Sequence, residues 1–160
     1  MSGAWIRGET ALLVVLVMSV IGGSLGAQPG HLMTTPTHLK WIDDPPMLMP
    51  GAKMAVMQGD PTKAGPYVYR LRIPADYNVM PHRHPADEHL TVLSGTFYLA
   101  VGETFDPEKG RQGFPMGSFL VMPAETAHYA WTKEETIVQV HGIGPSGITY
   151  VNPSDDPRKR

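Results

Sequence analysis

Short runs of alternating apolar and polar residues follow one another along most of the chain, separated by turn-forming residues. Residues 67–73 alternate and stop at a proline, and a Ser-Gly pair typical of a hairpin joins residues 89–93 to 96–101. No segment shows a convincing 3.6-residue helical period. The pattern predicts an all-β sandwich or barrel of seven or eight short strands. The predicted strands cover residues 52–57, 67–73, 89–93, 96–101, 118–122, 128–132, 136–141 and 148–151.

The N-terminal residues have a different pattern. Residues 11–21 are apolar and almost free of polar side chains, and small residues follow them, as in a secretory signal peptide cleaved after Gly26 or Ala27. The alternative is an uncleaved membrane anchor, although the apolar run is too short to span a bilayer. We expect residues 1–26 to be a signal peptide and the mature chain to be periplasmic or secreted, without stable membrane insertion.

The rest of the chain divides by composition into three parts. Residues 27–50 form a proline-rich arm, residues 51–152 carry the predicted strands, and residues 153–160 end in three basic side chains and are expected to be a flexible tail. Residues 105–110 are expected to be a solvated turn.

The composition of the chain excludes several classes of function. The chain has 160 residues and a net charge of −2, which offers no attraction to polyanions and argues against nucleic-acid binding. It has no cysteine, which excludes disulfides, thiolate nucleophiles, iron–sulfur clusters and cysteine-bound zinc. An exported chain without cysteine is compatible with a bacterial periplasm or exterior.

Three histidines and a glutamate have the spacing of metal ligands. His82 and His84 lie two residues apart, so on a strand both rings project from one face. Glu88 begins the next strand after a bend, and His128 begins another strand. Composition alone predicts about 0.01 occurrences of the pattern His-x-His-x3-Glu in a chain of this length. Three imidazoles and a carboxylate suit a divalent transition metal such as Fe, Mn, Zn or Ni, and the alternative is a polar loop of solvated histidines.

Neighbouring side chains allow two interpretations each. His89 follows a candidate ligand, so alternation directs it to the opposite face, as a core or interface residue. His141 could orient a substrate or relay a proton, or it could be a hydrogen-bonded structural histidine. Tyr129 and Trp131 are expected to face away from the candidate site. The methionines expected to be apolar lining are Met54, Met57, Met80 and Met122.

Two motifs in this sequence resemble those of the cupin superfamily: His82-x-His84-x3-Glu88-x6-Gly95 and Gly117-x5-Pro123-x4-His128. The resemblance covers residues 52–151. It implies a double-stranded β-helix, which is a small jelly-roll barrel, with a metal held inside by the same three histidines and glutamate. Asp76 stands where the first motif has its leading glycine, Glu125 replaces a glycine of the second motif, and Thr132 replaces its asparagine. We expect differences in the loops and no loss of the metal site.

The candidate site suggests an enzyme. Four protein ligands leave one or two positions of a metal for water, dioxygen or a chelating substrate. The expected substrate is a small oxygen-rich molecule such as a diketone, an enol or a hydroxylated aromatic acid. The resemblance makes a dioxygenase the first reaction to test, then an isomerase or lyase, with Glu88 and His141 as candidate catalytic residues.

Other roles remain open for the same residues. Cupins also serve as non-catalytic modules that bind or sense a metal or small molecule, and the fold does not choose between these roles. A third alternative is a structural barrel that the metal only braces. A homodimer is also predicted, because a sandwich has edges and an apolar outer face to cover.

Overall fold

The computed structural model describes residues 32–109 and 112–160. The predicted signal peptide, residues 1–26, lies outside the described residues, as does the start of the predicted arm. In the part of the chain that is described, no helix is long and apolar enough to cross a membrane. All the strands lie within one unit, Thr34–Arg160.

The domain is built from two antiparallel sheets, which confirms the predicted all-β class. The six-stranded sheet has the order β1-β2-β3-β10-β5-β8, and the five-stranded sheet has the order β11-β4-β9-β6-β7. The strands are β1 (Ile42–Asp43), β2 (Lys53–Gln58), β3 (Gly65–Ile73), β4 (Asn78–Arg83), β5 (Glu88–Ser94), β6 (Thr96–Val101), β7 (Gly113–Pro115), β8 (Phe119–Met122), β9 (His128–Thr132), β10 (Thr136–Gly144) and β11 (Thr149–Tyr150).

The alternating sequence explains which side chains fill the space between the sheets. On β10, Val138 and Val140 point inward and are almost completely buried, whereas Gln139 between them faces outward. On β3, Tyr69 and Ile73 belong to the same buried cluster. Strand alternation therefore predicted most of the core. It missed β1 and β7, since strands of two or three residues are too short to show a period. It also left β4 out of the predicted strands, because Pro81 interrupts the pattern there.

The connections between the sheets bring distant parts of the chain together. The chain passes from β3 in the larger sheet to β4 in the smaller one and back to β5, and later from β8 to β9 to β10. Because β4 pairs with β9 and β5 pairs with β8, the two candidate motifs lie side by side in both sheets. This is the arrangement expected of a double-stranded β-helix.

Both flanking segments are better ordered than the sequence suggests. The end of the predicted arm is fastened by β1 pairing with β2 and by Tyr150, whose hydroxyl donates to the Met47 carbonyl at 2.8 Å. The predicted flexible tail instead forms two short 3-10 helices, Pro153–Asp155 and Pro157–Lys159. Asp156 between them is only 6% exposed, so part of the predicted tail is buried against the domain.

An aromatic layer covers the outer face of the smaller sheet. Tyr129 and Trp131 face away from the interior, as alternation predicts, and Trp131 stacks on Tyr98 at 5.3 Å between ring centroids. Phe105 packs against Tyr129 at 5.3 Å, and the Tyr129 hydroxyl donates to the Asp106 carbonyl at 2.8 Å. The expectation of a merely solvated turn is therefore wrong for this part of residues 105–110.

Candidate metal centre

Strand pairing places two of the predicted ligands side by side. His82 on β4 and His128 on β9 are register partners, and their ring centroids lie 4.3 Å apart. Both side chains point between the sheets, where they are 4% and 2% exposed. Histidines are rarely placed in an apolar interior unless they bind something or are fully hydrogen-bonded.

His84 completes a group of three. It lies just past the end of β4, and its ring centroid is 4.9 Å from that of His82 and 5.1 Å from that of His128. One ring nitrogen from each of the three lies within 4.8 Å of the others. We call these three residues the inner cluster.

Each ring of the inner cluster is oriented by a backbone carbonyl. A carbonyl oxygen only accepts hydrogen bonds, so each Nδ1 carries the proton and each Nε2 of a neutral ring keeps a free lone pair. Such a bond fixes the tautomer and the direction of a metal-binding imidazole. The Nδ1 atoms donate to Met80 O from His82 (2.7 Å), to Gly147 O from His84 (2.7 Å) and to Thr126 O from His128 (2.9 Å).

Glu88 reaches the inner cluster from the opposite sheet. It is the first residue of β5, and its side chain points inward, with Oε2 3.4 Å from Nε2 of His84. Its other oxygen, Oε1, lies 3.5 Å from the hydroxyl of Tyr69 on β3, which donates to it. Among the described residues, the structure thus groups the three histidines and places Glu88 beside one of them, His84.

Burial favours the neutral form of His82 and His128. It lowers the pKa of His82 well below its usual range, and the neighbouring rings of His128 and His84 lower it further. Burial likewise lowers the pKa of His128 to about 4. Burial, together with the charge of Glu88, raises the pKa of Tyr69 well above its usual value, so this phenol keeps its proton.

One buried atom bears on what the site could hold. Nε2 of His84 is inaccessible to water and has no hydrogen-bond partner. A buried polar atom without a partner costs about 1–3 kcal/mol, and a divalent cation would provide one. The donor set fits a transition metal: three imidazole nitrogens and one carboxylate, without sulfur. His82, His84, Glu88 and His128 would hold such an ion.

The four predicted ligands line a cavity of about 140 Å³ between the sheets. Apolar side chains make up most of the remaining wall, and no lysine or arginine of the described residues lines it. A cavity of about 150 Å³ with apolar walls is large enough for benzene. The lining includes Met54, Leu71, Phe97, Leu99, Val138 and Ile148.

The residues that depart from the cupin motifs keep the turns intact. Asp76 and Glu125 have φ of 55° and 60°, the left-handed region that glycine adopts without strain. The amide of Glu125 donates to the carbonyl of His84 at 2.9 Å, which ties the two motif loops together. Thr132 Oγ1 donates to Pro74 O at 2.6 Å and so fastens the turn that contains Asp76.

The structure does not bring His141 to this site. Its neighbour Val140 points inward, so alternation on β10 sends His141 to the outer face of the larger sheet. There its ring stacks on His89 at 5.1 Å, beside Phe119. We call His89 and His141 the outer pair. The geometry gives His141 no role at the inner cluster, whereas His89 faces outward as predicted.

Sequence reasoning missed Tyr69 and Gly147. The alternation of residues 67–73 predicted the strand but not which face would be buried, and so it did not place a tyrosine hydroxyl beside Glu88. Gly147 acts through its carbonyl, which every residue possesses, so no sequence signal could have identified it.

Comparison with known proteins agrees with this geometry. A family model described as ChrR Cupin-like domain matches residues 29–147. The chain belongs to the cupin superfamily. No curated protein matches this cupin.

Solved structures share the fold at low identity. This cupin is similar to the polyketide cyclase RemF from Streptomyces resistomycificus, with 17% identity and a TM-score of 0.61 over 79% of this chain and 89% of that one. It is also similar to a candidate acetylacetone dioxygenase from Methylibium petroleiphilum, with 15% identity and a TM-score of 0.60 over 83% and 89%. A third similar structure is Rhodobacter sphaeroides SigE in complex with the anti-sigma ChrR, with 17% identity and a TM-score of 0.50 over 67% and 50%. At these identities the likeness shows a common fold.

Proposed function

We propose that this cupin is a metal-dependent enzyme whose substrate is a small neutral molecule with a chelating pair of oxygens and an apolar remainder. The observation that carries the proposal is the convergence of three fixed Nε2 atoms on the wall of an apolar cavity. When bound, a divalent metal would supply Lewis acidity and open positions for the substrate oxygens.

The cavity narrows the substrate class predicted from the sequence. Its volume suits a molecule of about six to eight non-hydrogen atoms, by comparison with a cavity that accommodates benzene. A hydroxylated aromatic acid fits poorly, because no cationic side chain of the described lining would pair with its carboxylate. A β-diketone or its enol fits better, since its oxygens can chelate the metal while its methyl groups contact apolar walls.

Two side chains, Glu88 and Tyr69, would take part in removing a proton from the substrate. Glu88 Oε1, which accepts from Tyr69, is the candidate base for the carbon between two carbonyls if the carboxylate leaves the metal. The Tyr69 hydroxyl keeps its proton and steers the carboxylate. The proposed first reaction is dioxygenation, supported by the fold likeness to the candidate acetylacetone dioxygenase. Dioxygen is then the oxidant, and both its atoms enter the products.

The first experiment is elemental analysis of the purified full chain beside His84→Ala, with circular dichroism to verify that the variant folds. We expect near-stoichiometric metal in the wild type and its loss in the variant. Oxygen uptake is then measured with a neutral β-diketone and with the same skeleton carrying a carboxylate at its far end. Turnover of the neutral compound alone supports the proposal, and a folded wild type that binds no metal refutes it.

A second candidate function is a non-catalytic metal or ligand sensor. The matching family is named for ChrR, which is an anti-sigma protein in one similar structure. A sensor would hold its metal without turnover and without an exchangeable water, whereas an enzyme needs an open position. Water-proton relaxation of the Mn(II)-loaded protein separates the two, because only a metal with exchanging water shortens the relaxation time strongly.

Export also belongs to the proposal. The apolar run at residues 11–21 supports secretion to a periplasm or exterior. N-terminal sequencing of the protein from its native compartment tests it: a mature chain that starts near residue 27 supports export, and an intact Met1 argues against cleavage.

A further inference from the structure

The three rings of the inner cluster are held in two different ways. His82 and His128 each donate to the carbonyl of the residue two positions earlier in the chain, so local backbone geometry fixes both rings. His84 lies beyond the end of β4 and donates instead to Gly147, 63 positions away. The direction of the His84 ring therefore depends on where the segment between β10 and β11, residues 145–148, is held.

The C-terminal turn holds that segment. After β11 the chain doubles back, and Nη2 of Arg158 donates to the carbonyl of Ile148 at 2.9 Å. Ile148 directly follows Gly147, and its own side chain lines the cavity. The guanidinium that makes this contact is thus one peptide unit away from the carbonyl that orients His84.

Arg158 is in turn fixed by Asp156. Its Nε lies 2.7 Å from Oδ1 and its Nη2 lies 3.0 Å from Oδ2, a two-point contact that sets the plane of the guanidinium. Asp156 is buried, and its Oδ1 also accepts from the Arg158 amide at 3.0 Å. The nearby Arg160 makes a different contact, to the Ser154 carbonyl, and is the natural control.

We propose that Arg158 and Asp156 are positioning residues for His84: they hold the Ile148 carbonyl, and with it the Gly147 carbonyl that aims the His84 ring. This assignment deepens the proposed metal site and rests on it for its functional meaning. Loss of a partner that orients a ligand typically weakens metal binding by about 10–100-fold. Arg158 does not contact the His84 ring itself, so we expect its replacement to weaken metal binding by about 10-fold.

The first test uses the metal-free full chain and needs no metal binding. Nitrogen-15 NMR of the histidine rings should show His84 protonated at Nδ1, with slow exchange of that proton. Arg158→Ala should speed this exchange at least about 10-fold while leaving His128, whose bond is local, unchanged. Arg160→Ala should change neither ring. Equal changes at His84 and His128, or no change at either, would overturn the proposal.

The second test measures Co(II) affinity by chelator competition and the visible spectrum of the Co(II) protein. Arg158→Ala should weaken binding and shift the spectrum in the wild-type background but add nothing in a His84→Ala background. An equal loss in both backgrounds would show general destabilisation and overturn the proposal. Arg158→Lys keeps the charge but cannot make all three contacts, so it should fall between wild type and Arg158→Ala.

The two tests separate this inference from the proposed function. If the wild type binds no Co(II) but Arg158→Ala still releases the His84 ring, the metal proposal fails and the positioning role stands. If the wild type binds Co(II) and Arg158→Ala changes neither the ring nor the affinity, the positioning role fails and the metal proposal stands. Should Arg158→Ala not fold, the same measurements on Arg158→Lys decide.

Discussion

The inner cluster and the outer pair contain the same side chain in opposite settings. His82, His84 and His128 are packed between the sheets, each with one nitrogen bonded to a carbonyl and the other turned toward a common point. His89 and His141 lie half-buried on the outer face, with ring planes only 18° apart. Stacked rings direct their lone pairs in parallel and do not converge on an ion.

The difference shows what makes a histidine a candidate ligand in this fold. Glu88 and His89 are adjacent in sequence, yet alternation gives one to the interior and the other to the surface. The same holds for Val140 and His141. Spacing within a strand decides the face, and the pairing of β4 with β9 decides which inward residues meet.

The largest expected contrast is in metal affinity. Total zinc binding energies of about 10–16 kcal/mol, divided among four ligands, give about 2.5–4 kcal/mol each, or roughly 100- to 1000-fold per ligand. His128→Ala should lose affinity in this range, and His141→Ala should stay within about twofold. Competition titrations with a chromogenic chelator measure both. A large loss of metal affinity from His141→Ala would contradict the distinction between the inner cluster and the outer pair.

The next contrast is in stability. Val140 is 1% exposed and faces inward, whereas Val121 on β8 faces outward and is 40% exposed. Removing two buried methyl groups and leaving a cavity should cost about 2 kcal/mol for Val140→Ala, against less than about 0.5 kcal/mol for Val121→Ala. Urea unfolding curves of the metal-free proteins give both values. Equal losses would mean that a partner or a second copy covers the outer face.

A smaller effect should appear on acidification of the metal-free protein. The pKa of His128 falls to about 4 in the folded state, while an unfolded histidine titrates near 6.5. The unfolded chain therefore binds more protons between these pH values, so stability should fall as the pH is lowered from about 6.5 to about 4. His128→Gln should flatten this dependence in urea melts at pH 7, 5.5 and 4.5. An unchanged slope would contradict the buried neutral state.

The smallest effect concerns the turns that precede inward-facing strands. Glu125 has positive φ, and a left-handed residue other than glycine costs about 1–2 kcal/mol, partly offset by the greater chain entropy of glycine. Glu125→Gly should stabilise the fold by about 0.5–1 kcal/mol, as should Asp76→Gly. Glu134→Gly, in a turn without positive φ, should be neutral or destabilising. Thermal unfolding distinguishes them, and destabilisation by Glu125→Gly would show that its side chain matters.

The sequence predicted most of the strands, most of the core and the inward-facing candidate ligands, because these depend on alternation and on two motifs. It did not predict contacts that are made by backbone carbonyls or that depend on the path of the chain, because neither leaves a signal in the residue types. The carbonyl of Gly147 could belong to any residue, and the buried place of Asp156 follows from the chain turning back after β11. Tyr69 required knowledge of which strand face is covered. The basic C-terminal residues look solvated in sequence, yet Arg158 reaches a carbonyl beside the candidate site.

The pairing of His82 with His128, and the bond from His84 to a carbonyl 63 positions away, also bear on how the protein matures. No short stretch of this chain contains the whole ligand set in its binding arrangement. Closing such long loops is entropically costly and comes late in folding, because distant strands must pair first. An ion bound at the proposed site would therefore not serve as a folding nucleus, and its capture would report that both sheets have closed. Pulse-chase folding with a fluorescent metal indicator should show uptake lagging behind strand formation.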